Sequence, residues 1–246
     1  MQGILYVSHG SRVREATAEA VSFIRSVQQL VDIPLQEICF LELAEPNVEQ
    51  GIDKLVDRGA TSISVVPVLL LSAGHYFKDI PDEVNRAKAR HSHISFTYGE
   101  PLGMQDRFIE ILTDRISETK VVPNLDAKLL LVGRGSRNPE TKKIIKEIGQ
   151  KLKAKTSFNS IDVCFLAACE PSFEQTLQSS LKKDHSQIFI VPYLWFTGVL
   201  MNYILDKVKK SNQNHPDIEV VLCRQLGEHP IMVEALKERV YESIVK

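Results

Sequence analysis

The sequence predicts an α/β protein made of two similar doubly wound domains, each a parallel sheet covered by helices on both faces. An internal repeat carries the first part of that statement. Ile4-Leu-Tyr-Val-Ser-His-Gly-Ser-Arg12 aligns with Leu129-Leu-Leu-Val-Gly-Arg-Gly-Ser-Arg137, 125 positions further on. The same offset pairs Phe40-Leu-Glu-Leu-Ala-Glu-Pro-Asn-Val-Glu-Gln50 with Phe165-Leu-Ala-Ala-Cys-Glu-Pro-Ser-Phe-Glu-Gln175, and Val65-Val-Pro-Val-Leu69 with Ile190-Val-Pro-Tyr-Leu194. Self-similarity held in register over this distance marks a duplicated structural unit. The second observation is the alternation of short, β-branched apolar runs with longer amphipathic ones, the pattern of a parallel sheet with crossover helices. The repeats place one domain at residues 1–118 and the other at 127–246, joined by a polar linker, 119–126, that contains Pro123 and Asn124.

In the first repeat, strands are expected near 4–8, 35–42, 61–69 and 94–98, where Val, Ile and Leu cluster. Helices are expected near 14–30, 47–58, 80–90 and 105–118 on their 3.6-residue apolar period. Pro46 suits a first-turn proline and Gly59 a helix stop. The second repeat follows the same plan.

Composition narrows the function by exclusion. The 30 basic and 31 acidic residues are interspersed, without the basic stripe that tracks a phosphate backbone, so no nucleic-acid partner is expected. The opening MQGILYVSHGSR reads as a first strand rather than a signal peptide, and the strongest apolar run, 63–71, is broken by Ser64 and Pro67. The expectation is a cytoplasmic protein with no membrane contact. Cys39, Cys164, Cys169 and Cys223 form no CxxC pair and lie in or beside apolar segments, as reduced, packed thiols do.

In open parallel sheets, ligands bind beyond the carboxyl ends of the strands. His9 closes the first strand before Gly10, Glu42 closes the second, and His75 follows the third through the Ser72-Ala-Gly74 loop. With strand order 2-1-3 the three ends are neighbours, about 4.8 Å apart, and the side chains can converge on one ion. Two imidazoles and a carboxylate suit a first-row divalent metal such as Fe2+ or Co2+ with open coordination positions, whereas a structural zinc site would close four ligands around the ion.

A histidine at a strand end is ordinarily a capping or solvent-facing residue, and the duplication is what argues otherwise here. The second repeat carries Arg134 for His9, Ala167 for Glu42 and Leu200 for His75, yet keeps Gly10 as Gly135, Ser11 as Ser136, Arg12 as Arg137, Glu45 as Glu170 and Pro46 as Pro171. Candidate ligands vanish together while the turn residues persist. Glu45, retained beside a helix N-terminus, reads as structural.

Ser-His-Gly-Ser-Arg12, Phe40-Leu-Glu-Leu-Ala-Glu-Pro46 and Val66-Pro-Val-Leu-Leu-Leu-Ser-Ala-Gly-His75 with Asp79-Ile-Pro81 together resemble the two-domain sirohydrochlorin chelatases over nearly the whole chain. The resemblance implies a chelatase-like fold with its active site in a cleft between the two domains. It also implies His9 and His75 as metal ligands and catalytic groups, with Glu42 as their acidic partner. The implied reaction inserts Fe2+ into sirohydrochlorin to give sirohaem, with cobalt insertion on the way to cobalamin as the alternative. The metal is then a substrate, and no organic cofactor is implied. Two pyrrole protons must leave, and a neutral imidazole can accept one; His75, on its glycine-containing loop, is the expected acceptor.

A substrate with several carboxylates calls for cations around the site, and Arg12, Arg14, Arg134, Arg137 and Lys78 are the candidates. Tyr193, Trp195 and Phe196 are candidates to pack on a macrocycle face or in the core. Two fused repeats also imply a monomer. Two other classes compete. A metal or tetrapyrrole carrier would bind without turnover, and a histidine phosphatase would place an arginine before the histidine where this chain has Ser8.

Overall fold

A computed structural model describes residues 1–72, 74–182 and 185–244, and of His75 only the backbone. Each repeat forms a four-stranded, all-parallel sheet. In the first, β1 (Gln2–Ser8), β2 (Leu35–Phe40), β3 (Ser62–Pro67) and β4 (Ser95–Tyr98) stand in the order β2-β1-β3-β4. In the second, β5 (Lys128–Gly133), β6 (Ser160–Phe165), β7 (Gln187–Tyr193) and β8 (Glu219–Leu222) stand in the order β6-β5-β7-β8. The reversal between β1 and β3 is the switch point at which ligand-binding loops diverge.

The helices of the first repeat are α1 (Arg14–Gln28), α2 (Val48–Asp57), α3 (Ile80–Arg90) and α4 (Arg107–Ser117). Those of the second are α5 (Pro139–Lys155), α6 (Phe173–Leu181), α7 (Val199–Asn214) and α8 (Pro230–Ile244). Each start and stop lies within two residues of the expected one, because apolar periodicity and turn chemistry are both strong here. Gly59 follows the end of α2 at φ +88°, the left-handed position glycine favours. Pro46 is a correction: it precedes the cap rather than entering the first turn. Asn47 caps α2 in a reciprocal box with Gln50, and Pro46 uses its carbonyl to accept from Phe40 N at 2.8 Å.

β1 is buried along both faces, so its run of apolar residues serves two layers. Leu5 and Val7 pack with Ile52 and Leu55 of α2 and with Ile80, Val84 and Ala87 of α3. Each such side chain contributes about 1.5–3 kcal/mol on burial. The alternate residues Ile4 and Tyr6 are equally buried, and α1 and α8 supply the other layer of this unit.

The compact units do not follow the repeat boundary. One comprises Met1–Gly103 with Pro230–Lys246, the other Met104–His229. Helix α8 therefore packs on α1, β3 and β4, and α4 packs on α5 and β7. The compact units thus differ from the repeats at 1–118 and 127–246: each repeat supplies its last helix to the other repeat's sheet. Equivalent arginines fasten both exchanges. Arg115 of α4, 4% exposed, donates to the carbonyls of Gln225 and Leu226 at 2.9 and 2.6 Å. Arg239 of α8 donates to the carbonyl of Leu102 at 3.0 Å, the counterpart of Leu226, and each arginine pairs with a glutamate three residues on.

The repeats also differ by one residue. The offset is 125 through β3 and β7 and at the carbonyls of Leu70 and Trp195, but 124 in the following helices and at Gly103 and Gly227, whose N–H groups donate to those carbonyls. In the helices, buried Ile80, Val84 and Ala87 match buried Ile204, Val208 and Ser211. The helical stretch begins at Gly74 in one repeat and Val199 in the other, so the extra residue lies inside it. It is absorbed by a π-helical turn, His75–Asp79, whose i→i+5 bonds accommodate one more residue than an α-turn; α7 has none.

Candidate functional site

The site begins where the β1–β2 ladder runs past the strand ends. Leu41 N donates to Ser8 O at 2.9 Å and Glu42 N to His9 O at 3.1 Å, which sets His9 and Glu42 side by side. Gly10 makes this approach possible. Its φ is +89°, and a β-carbon there would fall 1.8 Å from the carbonyl oxygen of Glu42, which no larger residue tolerates.

The imidazole of His9 is oriented by its own loop. Nδ1 lies 3.0 Å from Gly10 O, and a carbonyl only accepts, so Nδ1 carries the hydrogen in that bond. Nε2 then faces Glu42 Oε1 at 3.1 Å, with the two side chains 34% and 50% exposed. A proton on Nε2 makes this an imidazolium–carboxylate hydrogen bond, and with Nε2 deprotonated the same two atoms are both free to ligate a cation. A divalent metal about 2.1 Å from each atom spans such a gap at close to a right angle, the bite expected of adjacent ligands.

The rest of the loop is scaffold. Leu43 adopts φ 64°, and the Glu45 carboxylate accepts from Asn47 N at 3.1 Å, holding the entry to α2. The second repeat builds the same loop: Gly135 at φ +89° lies under Ala167 O, Ala168 adopts φ 61°, and Glu170 accepts from Ser172 N at 2.6 Å. Glu45 thus serves the turn, as its counterpart does. Arg134 and Ala167 replace His9 and Glu42 on an otherwise unchanged backbone.

His75 opens the π-helical turn beyond β3, next to β1 in the sheet; its side chain lies outside the described residues. Among the described residues no three His, Cys, Asp or Glu side chains gather around one point, and the pair that meets at these strand ends is His9 and Glu42. The turn itself is tied down. Tyr76 donates to Glu100 Oε2 at 2.6 Å, Tyr98 donates to the carbonyl of Tyr76 at 2.8 Å, and the two rings stack with centroids 5.0 Å apart. Burial and the Glu100 carboxylate both raise the Tyr76 phenol well above its usual range, so it remains a donor. Phe77, 63% exposed, is the apolar face this turn presents to solvent. Sequence reading passed over these residues, because Tyr76 and Tyr98 sit on different elements and only the change of offset signals the turn.

Arg12 and Arg14 lie between Gly10 and the first turn of α1, Lys78 lies on the π-helical turn, and all three are exposed. Arg134 and Arg137 occupy the matching loop of the second unit, also exposed. None of the five makes an ion pair among the described residues. Tyr193 and Trp195 are 2% and 6% exposed, so their surface is spent on packing; Phe196, stacked on Trp195 with centroids 5.2 Å apart, is half-buried. The four cysteines are free, and burial pushes the thiols of Cys39, Cys164 and Cys223 up.

The CbiX family model matches this chain twice, over residues 3–119 and 128–243. The chain belongs to the CbiX family. The two CbiX matches coincide with the internal repeats rather than with the compact units, as expected when the last helix of each repeat is exchanged. A sirohydrochlorin ferrochelatase of Priestia megaterium is 41% identical, over 98% of this chain and 90% of its own length. A sirohydrochlorin cobaltochelatase of the same organism is 34% identical, over 99% and 80%. Among solved structures, SirB from Bacillus subtilis with Fe3+ superposes with a TM-score of 0.86 at 39% identity, covering 98% of this chain and 95% of that one.

Proposed function

We propose that this CbiX-family chain is a sirohydrochlorin ferrochelatase, inserting Fe2+ into the macrocycle with loss of two pyrrole protons. The observation that carries the reading is the 3.1 Å bite of His9 Nε2 and Glu42 Oε1, present in the first repeat and replaced by Arg134 and Ala167 on the same backbone in the second. Higher identity to the ferrochelatase relative than to the cobaltochelatase favours iron. Cobalt is the second reading, supported by that relative and by the chemistry of the donors, which accept either ion.

The metal is substrate, held in transit by His9 and Glu42 and completed by His75. Because His9 uses Nδ1 on Gly10 and offers Nε2 to the metal, His75 is the better placed to take a pyrrole proton. Arg12, Arg14 and Lys78 of the same unit supply charge for the substrate's carboxylates. Phe77 offers the flat ring an apolar contact. The reaction needs no organic cofactor, and two repeats in one chain support a monomer. Among the described residues no helix is long and apolar enough to cross a membrane.

The test is anaerobic mixing of pure protein, sirohydrochlorin and Fe2+ or Co2+, followed by absorbance, beside His9→Ala and His75→Ala. Insertion above the spontaneous rate and lost in both variants is the expected result. Binding without acceleration would leave a carrier instead.

A further inference from the structure

The π-helical turn that begins at His75 is a one-residue departure from the second repeat, and it is supported from outside itself. We propose that Tyr76, Tyr98 and Glu100 form a clasp that positions this turn, and through it His75, against the β1–β2 strand ends; the inference rests on His75 acting in metal insertion. A π-turn is rare in isolation because its backbone bonds are less favourable than those of the α-helix on either side, so it persists where surrounding structure holds it. Here the holding groups stand on the sheet. Tyr98 ends β4 in register with Val65 of β3, and Gly99, next to Glu100, donates to Val65 O at 2.9 Å. From that base Tyr98 grips the Tyr76 carbonyl, its ring supports the Tyr76 ring, and Glu100 takes the Tyr76 hydroxyl.

The second repeat supplies the internal comparison. The positions matching Tyr98 and Glu100 are Leu222 and Arg224, and those that can match Tyr76 are Leu200 and Met201. None can make the clasp's contacts, and the backbone there is continuous α-helix with no histidine at its start. The extra residue, the clasp and His75 therefore occur together in one repeat and are absent together from the other. A set of contacts needed only to start a helix on this sheet would have been useful in both.

The experiment compares Tyr98→Phe, Tyr76→Phe, Glu100→Ala and Glu100→Gln with His75→Ala, in the full chain. Four quantities are measured: kcat and KM for cobalt insertion into sirohydrochlorin, Co2+ affinity without tetrapyrrole, and Tm. Tyr98→Phe and Glu100→Ala are expected to lower kcat roughly 10- to 100-fold and to weaken Co2+ binding in parallel, the usual effect of losing a group that orients a ligand. KM for sirohydrochlorin and Tm should stay near the parent values. Glu100→Gln, whose amide oxygen still accepts from Tyr76, should retain most activity. Adding Tyr98→Phe to His75→Ala should weaken Co2+ binding no further, because residues acting through one group are not additive.

Folded Tyr98→Phe and Glu100→Ala proteins with parent kcat and Co2+ affinity would overturn the clasp while leaving the chelatase reading intact. Losses of equal size with and without His75 would overturn it too. If His75→Ala itself keeps Co2+ affinity and insertion, the role of His75 fails, and the clasp's role fails with it. Should Tyr98→Phe not fold, Tyr76→Phe and Glu100→Ala give the same readings.

Discussion

His9 Nε2 and Glu42 Oε1 stand 3.1 Å apart at the ends of two adjacent parallel strands, joined by a backbone bond from Glu42 N to His9 O. Main-chain contacts at the strand ends, and the Nδ1 contact to Gly10 O, set this separation, and the proposed metal role of the pair can be tested on it. Glu42→Gln, which keeps the shape and removes the charge, is expected to weaken Co2+ binding by about tenfold or more. Glu45→Ala, three residues on, should leave metal affinity and kcat alone and cost about 1 kcal/mol of stability through the lost bond to Asn47 N. Isothermal titration and calorimetric melting of the two variants separate the roles; equal metal affinities would refute the assignment of Glu42.

Gly10 and Gly135 share a φ of +89° and the same 1.8 Å clash for any β-carbon. Both Gly10→Ala and Gly135→Ala should lower stability by roughly 2–4 kcal/mol, since backbone must move in each. Only Gly10→Ala is expected to weaken Co2+ binding as well, because the displaced strand end carries Glu42 there and Ala167 in the second unit. Urea melts with cobalt titration of both proteins would show whether the shared turn has one ligand-bearing copy.

Arg115 and Arg239 hold the exchanged helices. Arg115→Met leaves the carbonyls of Gln225 and Leu226 without their donor and is expected to cost about 2–4 kcal/mol. Arg239→Met should cost less, since that side chain is 23% exposed and reaches the carbonyl of Leu102 alone. Chemical denaturation gives both values, and the reverse ranking would contradict the burial argument.

The buried thiols make alkaline stability measurable. Cys164 and Cys223 are pushed up to about 12 from an ordinary 9.0, chiefly by burial. The unfolded chain ionises these groups above about pH 9 while the folded chain keeps their protons. Their contribution is therefore intact below that pH and is lost as pH rises from there toward 12, by about 1.4 kcal/mol per pH unit for each thiol. Urea midpoints taken between pH 8 and pH 10 should fall less steeply in Cys164→Ala and Cys223→Ala proteins; parallel slopes would show that these thiols do not carry the dependence.

Much of this was legible in the sequence because the signals are local and doubled. Val, Ile and Leu runs of strand length, turn residues at their ends and a fixed offset of 125 were enough for the β1-to-β3 plan and its copy. His9 and Glu42 stood out because their counterparts, Arg134 and Ala167, break a pattern that Gly10, Glu45 and Pro46 keep. The Asn47–Gln50 box went unread because Pro46 beside it offers an equally good local reason to begin a helix.

By itself, then, the sequence determined the elements, the duplication and the loop on which His9 and Glu42 meet, since each is written in neighbouring residues. Only the tertiary structure decided where α4 and α8 pack and what holds the turn at His75. The two helices carry equivalent arginines, Arg115 and Arg239, and similar apolar stripes, so either could cover either sheet; an amphipathic face states that it must be buried, not against which partner. Tyr76, Tyr98 and Glu100 are likewise unremarkable in their own segments. They become a clasp because β4 pairs with β3 and brings Tyr98 and Glu100 back beside the residues that follow β3, a proximity that strand pairing creates and local sequence does not encode.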